Sequence, residues 1–406
     1  EATARFLSPQ TSSFTFDNED SKTGLQRIIE SSDENRMRLS DVDSSRDNNM
    51  DLMRFLAASA VIYGHAFHLQ NLRDPLEELV GRSTGSLAVA VFFALSGFLI
   101  AKSLTNRPSL LEFLVARALR ILPALIVVNV LVVLIAGFTW SSMSAAEFFG
   151  GSQPWTYIFW NSSLLKCQFE LPGVFSANPF GDAVNGSLWT LPVEARMYGL
   201  VFLAGATSLV IGKVTRAGNE LRRYMVGGFG VVGLASSLFL WEMLGLPHLG
   251  GVLSEPGVRL MGFFSAGMVA HAFRKKIYLD GRLIVVGFLV LYCWRETRFA
   301  EAFLVPWLAY TCLWTAYSPR INARGFGSKG DFSYGIYIFA FPVQQWFYSQ
   351  DPGMAPLTNA GFTFPIVVVL AAISFWCIER PSLRFKHTLS EKVRFLFGRK
   401  ALQSTP

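Results

Sequence analysis

Arg54, His65 and His68 stand in an otherwise apolar run, "MDLMRFLAASAVIYGHAFHLQ", residues 50 to 70. Ionisable groups in a segment long enough to cross a bilayer are costly, so they are compensated or used. Arg54 and His65 are eleven residues apart, almost three turns of helix. That places them on one face, roughly 16 Å apart along the axis. They cannot touch, but they can line one groove. It would offer a fixed positive charge to something anionic and an imidazole, the side chain that titrates nearest neutrality, to something reactive. The plainer reading is that Arg54 snorkels to the headgroups and His65 satisfies a neighbouring polar group.

The elements that must position these residues follow from composition. The chain has 406 residues, of which 51% are hydrophobic, 14% aromatic and only 16% charged, with 36 phenylalanines and a net charge of +7. An ordinary soluble domain is about 25% charged, so an all-α, polytopic transmembrane bundle is expected. From Asp51 onward ten apolar runs approach spanning length, at about 51–70, 86–104, 119–139, 187–211, 224–241, 257–273, 277–294, 299–317, 332–349 and 361–379. Before them, residues 1–48 are rich in Ser, Asp and Asn and lack the apolar core of a signal peptide; a disordered cytoplasmic tail is expected. Residues 49–385 form the membrane domain and residues 386–406 a basic cytoplasmic tail.

With the N-terminus inside, segments such as "GKVTRAGNELRR", "FRKK" and "SPRINARGFGSKG" fall on the cytoplasmic side and carry most of the Lys and Arg. The outside loops hold Arg73, Arg82, Lys166, Arg295 and Arg298. This asymmetry predicts an even number of spans with both termini cytoplasmic, and accounts for the positive charge without nucleic acid. The four cysteines show no metal-ligand spacing and no Gly-rich phosphate loop occurs, so neither a metal nor a backbone phosphate cradle is expected.

Several stretches occur in a familiar order: "MDLMRFLAASAVIYGH", "VFFALSGFLI", "RALRILPAL", "NGSLWTLPVEARMYGL", "GDFSYGIYIFAFPVQQ" and "IERPSLRF". Together they resemble the acyltransferase-3 family of integral-membrane O-acyltransferases over about residues 51 to 385. The resemblance implies about ten helices and transfer of an acyl group, commonly acetyl, from acyl-CoA to a hydroxyl of a glycan such as exopolysaccharide or lipopolysaccharide. The natural setting is a bacterial inner membrane, and the partners are the acyl-CoA donor, the acceptor and membrane lipid.

By that resemblance Arg54, His65 and Glu194 are the catalytic candidates, with His65 a base or an acyl relay. A sugar hydroxyl needs a positioned base at neutral pH. Arg117 and Arg120, three residues apart and so on one face, are the candidates for holding the phosphates of CoA; without the family they read as ordinary topology anchors. Glu194, within the motif here written "WTLPVEARMY", is the only carboxylate of its run and could orient His65, stabilise the imidazolium or bind the acceptor. Ser96, beside Gly97, reads as a small residue permitting close helix packing beside the site, and Tyr334 and Tyr337 lie one turn apart; these three are the substrate-binding candidates. Where many relatives carry a second histidine after the tyrosines, this chain has Phe339 and Phe341, which implies a single imidazole. A transporter using Arg54, His65 and Glu194 as a substrate or proton path is the alternative. It would be expected to show broken helices in paired halves, which are not legible.

Overall fold

The computed structural model describes residues 37–44, 48–106, 109–181, 183–215, 219–243, 255–297, 299–321, 323 and 325–385. Every regular element among them is helical. In chain order these are α1 (Leu39–Val42), α2 (Met50–His68), α3 (Pro75–Val80), α4 (Thr84–Asn106), α5 (Leu110–Ile135), α6 (Ala145–Gly150), α7 (Gln153–Ser163) and α8 (Thr190–Thr215). They continue with α9 (Asn219–Met243), α10 (Glu255–Ala272), α11 (Arg282–Trp294), α12 (Phe299–Tyr317), α13 (Ser333–Gln350) and α14 (Pro356–Ser374). Each apolar run coincides with one of the longer helices. Four stretches are long and apolar enough to cross a bilayer alone: Thr84–Asn106, Leu110–Trp140, Gly186–Ile211 and Pro356–Phe385. Others miss that standard for identifiable reasons, since α2 carries Asp51, Arg54 and two histidines and α11 has only 13 residues.

The outer surface is apolar: Val210, Val232, Val285, Leu289, Phe362, Val369 and Ile373 are exposed on different helices. Soluble monomers rarely show apolar patches of that extent, whereas lipid accepts them. The interior helix is α4, flanked by α2 and α10. It meets α10 at glycines: a Cβ on Gly97 would lie 1.9 Å from the Phe264 carbonyl oxygen, and one on Gly267 2.2 Å from that of Ala94. The small residues beside Ser96 thus serve close packing, as expected.

Buried polar residues fix the helix ends. Asn49 starts α2, donates to the Thr315 carbonyl (3.1 Å) and accepts from the Ala323 amide (3.1 Å), tying α2 to the end of α12. Asp74 caps α3 through the amides of Leu76 (3.0 Å) and Glu77 (3.1 Å), and also accepts from the Thr84 amide (2.8 Å) and hydroxyl (2.7 Å) where α4 begins. Satisfying orphan helix-end groups in this way is worth about 1 kcal/mol per cap.

One correction falls on the segment expected to be a disordered tail to residue 48. Residues 37–44 are ordered: Leu39 is fully buried, its amide donates to the Ile277 carbonyl (2.9 Å), and the Leu279 amide donates to the Met37 carbonyl (2.9 Å). Arg274 pairs with Asp43 at 3.1 Å. A single leucine in a strongly polar stretch gives little periodic signal, but its burial is enough to dock the chain. The remaining parts of both expected tails, residues 1–36, 45–47 and 386–406, lie outside the described residues.

Candidate active site

A cavity of about 720 Å³ runs between α2, α4, α5, α8 and α13. From α4 it receives Val89, Phe92, Phe93, Ser96, Leu99, Ile100, Ser103 and Asn106, spaced three and four apart and so forming one helix face. α5 supplies Arg117, Arg120 and Ile121, α8 supplies Thr190, Leu191, Glu194 and Tyr198, and Ser333, Tyr334 and Tyr337 come from α13. Of the eight residues expected at the site, seven line this one space: Arg54, Ser96, Arg117, Arg120, Glu194, Tyr334 and Tyr337.

At one end, Arg54 pairs with Asp51 (2.9 Å) and lies 3.6 Å from Asp331, while Arg120 reaches Asp331 (2.6 Å) and Glu379 (3.3 Å). Ser374 donates to Glu379 (3.3 Å), and Ser333 donates to Asp331 through its amide (3.1 Å) and its hydroxyl. Burial alone pushes the Asp331 carboxyl up, but Arg120, Arg54 and the Ser333 hydrogen bonds outweigh it and hold the group below the usual carboxylate range. Arg117, one turn away on the same face, makes no ion pair among the described residues, and its Nε is buried without a hydrogen-bond partner.

Farther along, Glu194 accepts from the Ser96 hydroxyl (3.1 Å) and from the Tyr198 hydroxyl, which sits one turn ahead on α8. Arg196 points elsewhere, to the Leu165 carbonyl (3.0 Å), as i, i+2 spacing predicts. The tyrosine hydroxyls are engaged: Tyr334 donates to the Ile121 carbonyl (2.9 Å), and Tyr337 donates to the Ser187 carbonyl (2.8 Å) with the Thr190 hydroxyl at 2.7 Å.

His65 is the residue left out. The unbroken α2 keeps it on the Arg54 face, yet the cavity closes before reaching it, so the expected continuous groove is interrupted. The physical reason is the α2–α4 seam: a Cβ on Gly64 would lie 2.4 Å from the Gly85 backbone nitrogen, the two helices being in backbone contact there. Phe92 and Tyr337, with ring centroids 6.0 Å apart, line the cavity on its near side. The His65 ring meets the Phe341 ring edge-on (5.3 Å), and its Nδ1 is buried without a partner. Gly186 backs onto the same Phe341 ring, and the residues on either side of it leave Asn185 Oδ1 and Ser187 Oγ buried and unpartnered. The His68 ring packs at a tilt against the Phe180 ring (4.7 Å). The hydrogen-bond partners of Glu194 are Ser96 and Tyr198 rather than His65, so the orienting role weighed for it is not built into this arrangement.

Asp331, Glu379 and Tyr198 belong to the site and were not singled out in the sequence. Asp331 and Glu379 had a readable signal: each is a lone acid bordering an apolar run, inside "GDFSYG" and "CIERP". Tyr198 had none beyond its spacing from Glu194.

The chain matches the family model described as an acyltransferase domain over residues 47–379. It is 27% identical over 318 residues to an "O-acetyl transferase" of Shigella phage Sf6, covering 74% of this chain and 85% of the relative. It is 26% identical over 386 residues to "Nodulation protein 10" of Rhizobium leguminosarum bv. viciae, covering 85% of this chain and 96% of the relative. No solved structure gives a significant match.

Proposed function

Since the chain belongs to the acyltransferase-3 family and is a membrane O-acyltransferase, we propose that it moves an acetyl group from acetyl-CoA to a hydroxyl of a cell-envelope glycan such as exopolysaccharide or lipopolysaccharide. The observation that carries this reading is the cavity itself, cationic at one end, lined along its length by aromatic and aliphatic side chains with Ser96 and Glu194 among them, and ending one seam short of His65, whose Nδ1 is buried without a partner. The name of the phage relative, an O-acetyl transferase, supports acetyl as the group transferred.

In this reading the ten long helices all cross a bacterial inner membrane, with both termini cytoplasmic and the basic end of the cavity facing the cytoplasm, where the donor is found. Arg54 and Arg120 hold the Asp331 cluster at the entrance, Arg117 on the same face of α5 meets the donor's phosphates, and Glu194, Ser96, Tyr334 and Tyr337 position the reacting ends. His65 takes the proton of the acceptor hydroxyl as its oxygen attacks the thioester carbonyl. The carbon–sulfur bond breaks, an ester forms, and the proton passes to the departing thiolate. A positioned base of this kind contributes about 10²- to 10⁴-fold.

The test is transfer of labelled acetyl from acetyl-CoA to envelope glycans in membranes bearing the wild-type chain or His65→Ala. Label appearing with the wild type alone is expected, and its fraction identifies the acceptor. Equal label in both removes His65 from the chemistry.

A further inference from the structure

Arg117 and Arg120 enter from sequence as an equivalent pair, and the structure separates them. Arg120 is held between two carboxylates, Asp331 and Glu379, so its charge is already matched. Arg117 has neither, and its Nε is buried without a partner. Facing it across the same cavity, the last turn of α4 presents Lys102, Ser103 and Asn106. The Lys102 ammonium touches the Asp43 backbone carbonyl and shares the field of the Asp43 carboxylate with Arg274, and Ser103 Oγ is buried with no partner. Arg117, with no ion pair among the described residues, Lys102, which shares one carboxylate with Arg274, a hydroxyl and an amide thus converge from two helices on one space. Such a set of donors suits phosphate oxygens far better than a neutral thioester or a sugar ring.

Distance narrows the ligand further. His65 lies opposite Gly85 at the start of α4, and Lys102 is 17 residues (102 − 85) along the same helix, or about 26 Å. Between them the α4 face presents Val89, Phe92, Phe93 and Leu99, interrupted by Ser96 where it donates to Glu194. A molecule anchored at Lys102 and reacting near His65 must carry its phosphates and its acyl group at opposite ends of a long, slender, uncharged arm. A short acyl phosphate cannot do both.

We propose that Lys102, Ser103, Asn106 and Arg117 form the phosphate-binding station of the donor, and that Arg120 is a structural strut. The assignment rests on the acyl-CoA reading above and adds residues to it. The full-length protein in lipid nanodiscs is assayed with acetyl-CoA and with acetyl-pantetheine, which keeps the arm and lacks the phosphates. Lys102→Gln and Ser103→Ala are each expected to raise KM for acetyl-CoA about tenfold, the scale of one charge-assisted hydrogen bond. Neither is expected to change kcat/KM for acetyl-pantetheine. Lys102→Arg, keeping the charge, restores most of the acetyl-CoA affinity, which a folding defect would not allow. Equal losses on both donors, or an unchanged KM for acetyl-CoA, overturn the station. A wild-type protein that uses acetyl-pantetheine as well as it uses acetyl-CoA does the same, and one that uses neither overturns the donor reading together with it.

Discussion

At the basic end of the cavity Arg54, Arg120, Asp331 and Glu379 close on one another, so each of these four charges has a partner. Eleven residues further along α2, His65 Nδ1 has none, and neither have Asn185 Oδ1 and Ser187 Oγ beside the Phe341 ring that His65 meets. Leaving a buried polar atom unpaired costs about 1–3 kcal/mol, so three of them in one neighbourhood are maintained against stability. The satisfied network reads as architecture and the unsatisfied one as a place kept for a reacting group. The distinction cuts across the motif residues, since Arg120 falls on the architectural side and Arg117 on the other.

Substitutions can break that contrast. The largest effect is expected at the unsatisfied end, where His65→Ala lowers turnover by about 10²- to 10⁴-fold while leaving thermal unfolding unchanged or slightly improved. A clear loss of stability instead would make His65 part of the packing. At the satisfied end the expectation reverses: Arg120→Ala leaves Asp331 and Glu379 buried without their cation. It should destabilise the fold by about 3–5 kcal/mol, read as a lowered unfolding midpoint in detergent. Arg117→Ala should leave that midpoint in place, and a similar drop in both variants would erase the division between them.

The seam separating the two regions is the next target. Gly64→Ala puts a methyl carbon into the Gly85 backbone, and forcing α2 and α4 apart should cost about 1–3 kcal/mol, measurable in the same unfolding assay. The smallest effect concerns pH. Because Asp331 is held below the usual carboxylate range, its contribution to stability is fully present above the ordinary carboxylate pKa. That contribution fades as pH falls through the lowered folded value. Asp331→Asn should therefore narrow the difference in unfolding midpoint between neutral and acidic buffer, and an unchanged difference would place the acid sensitivity elsewhere.

Much of this protein was legible from one dimension. Hydropathy and length located the ten longest helices, of which four are long and apolar enough to cross a bilayer alone, because an apolar run is written residue by residue. The i, i+3 and i, i+11 spacings placed Arg117 with Arg120, and Arg54 with His65, on common faces, since a helix converts separation into direction without help from its neighbours. The motif order carried the family.

The partners across helices were decided only by the tertiary structure. Asp331 and Glu379 reach Arg120 from positions 211 and 259 residues away in sequence, Ser96 meets Glu194 across 98, and Leu39 docks a polar segment onto the α10–α11 connection. No local pattern records such pairings, because the distances that set them are sums over every intervening helix crossing. The same crossings bring Gly64 against Gly85, closing the seam between the cavity and His65, and they leave Arg117 without an ion pair among the described residues while its neighbour one turn away is bound. Residue type and spacing nominate the chemical groups, and packing decides which of them have a counter-charge.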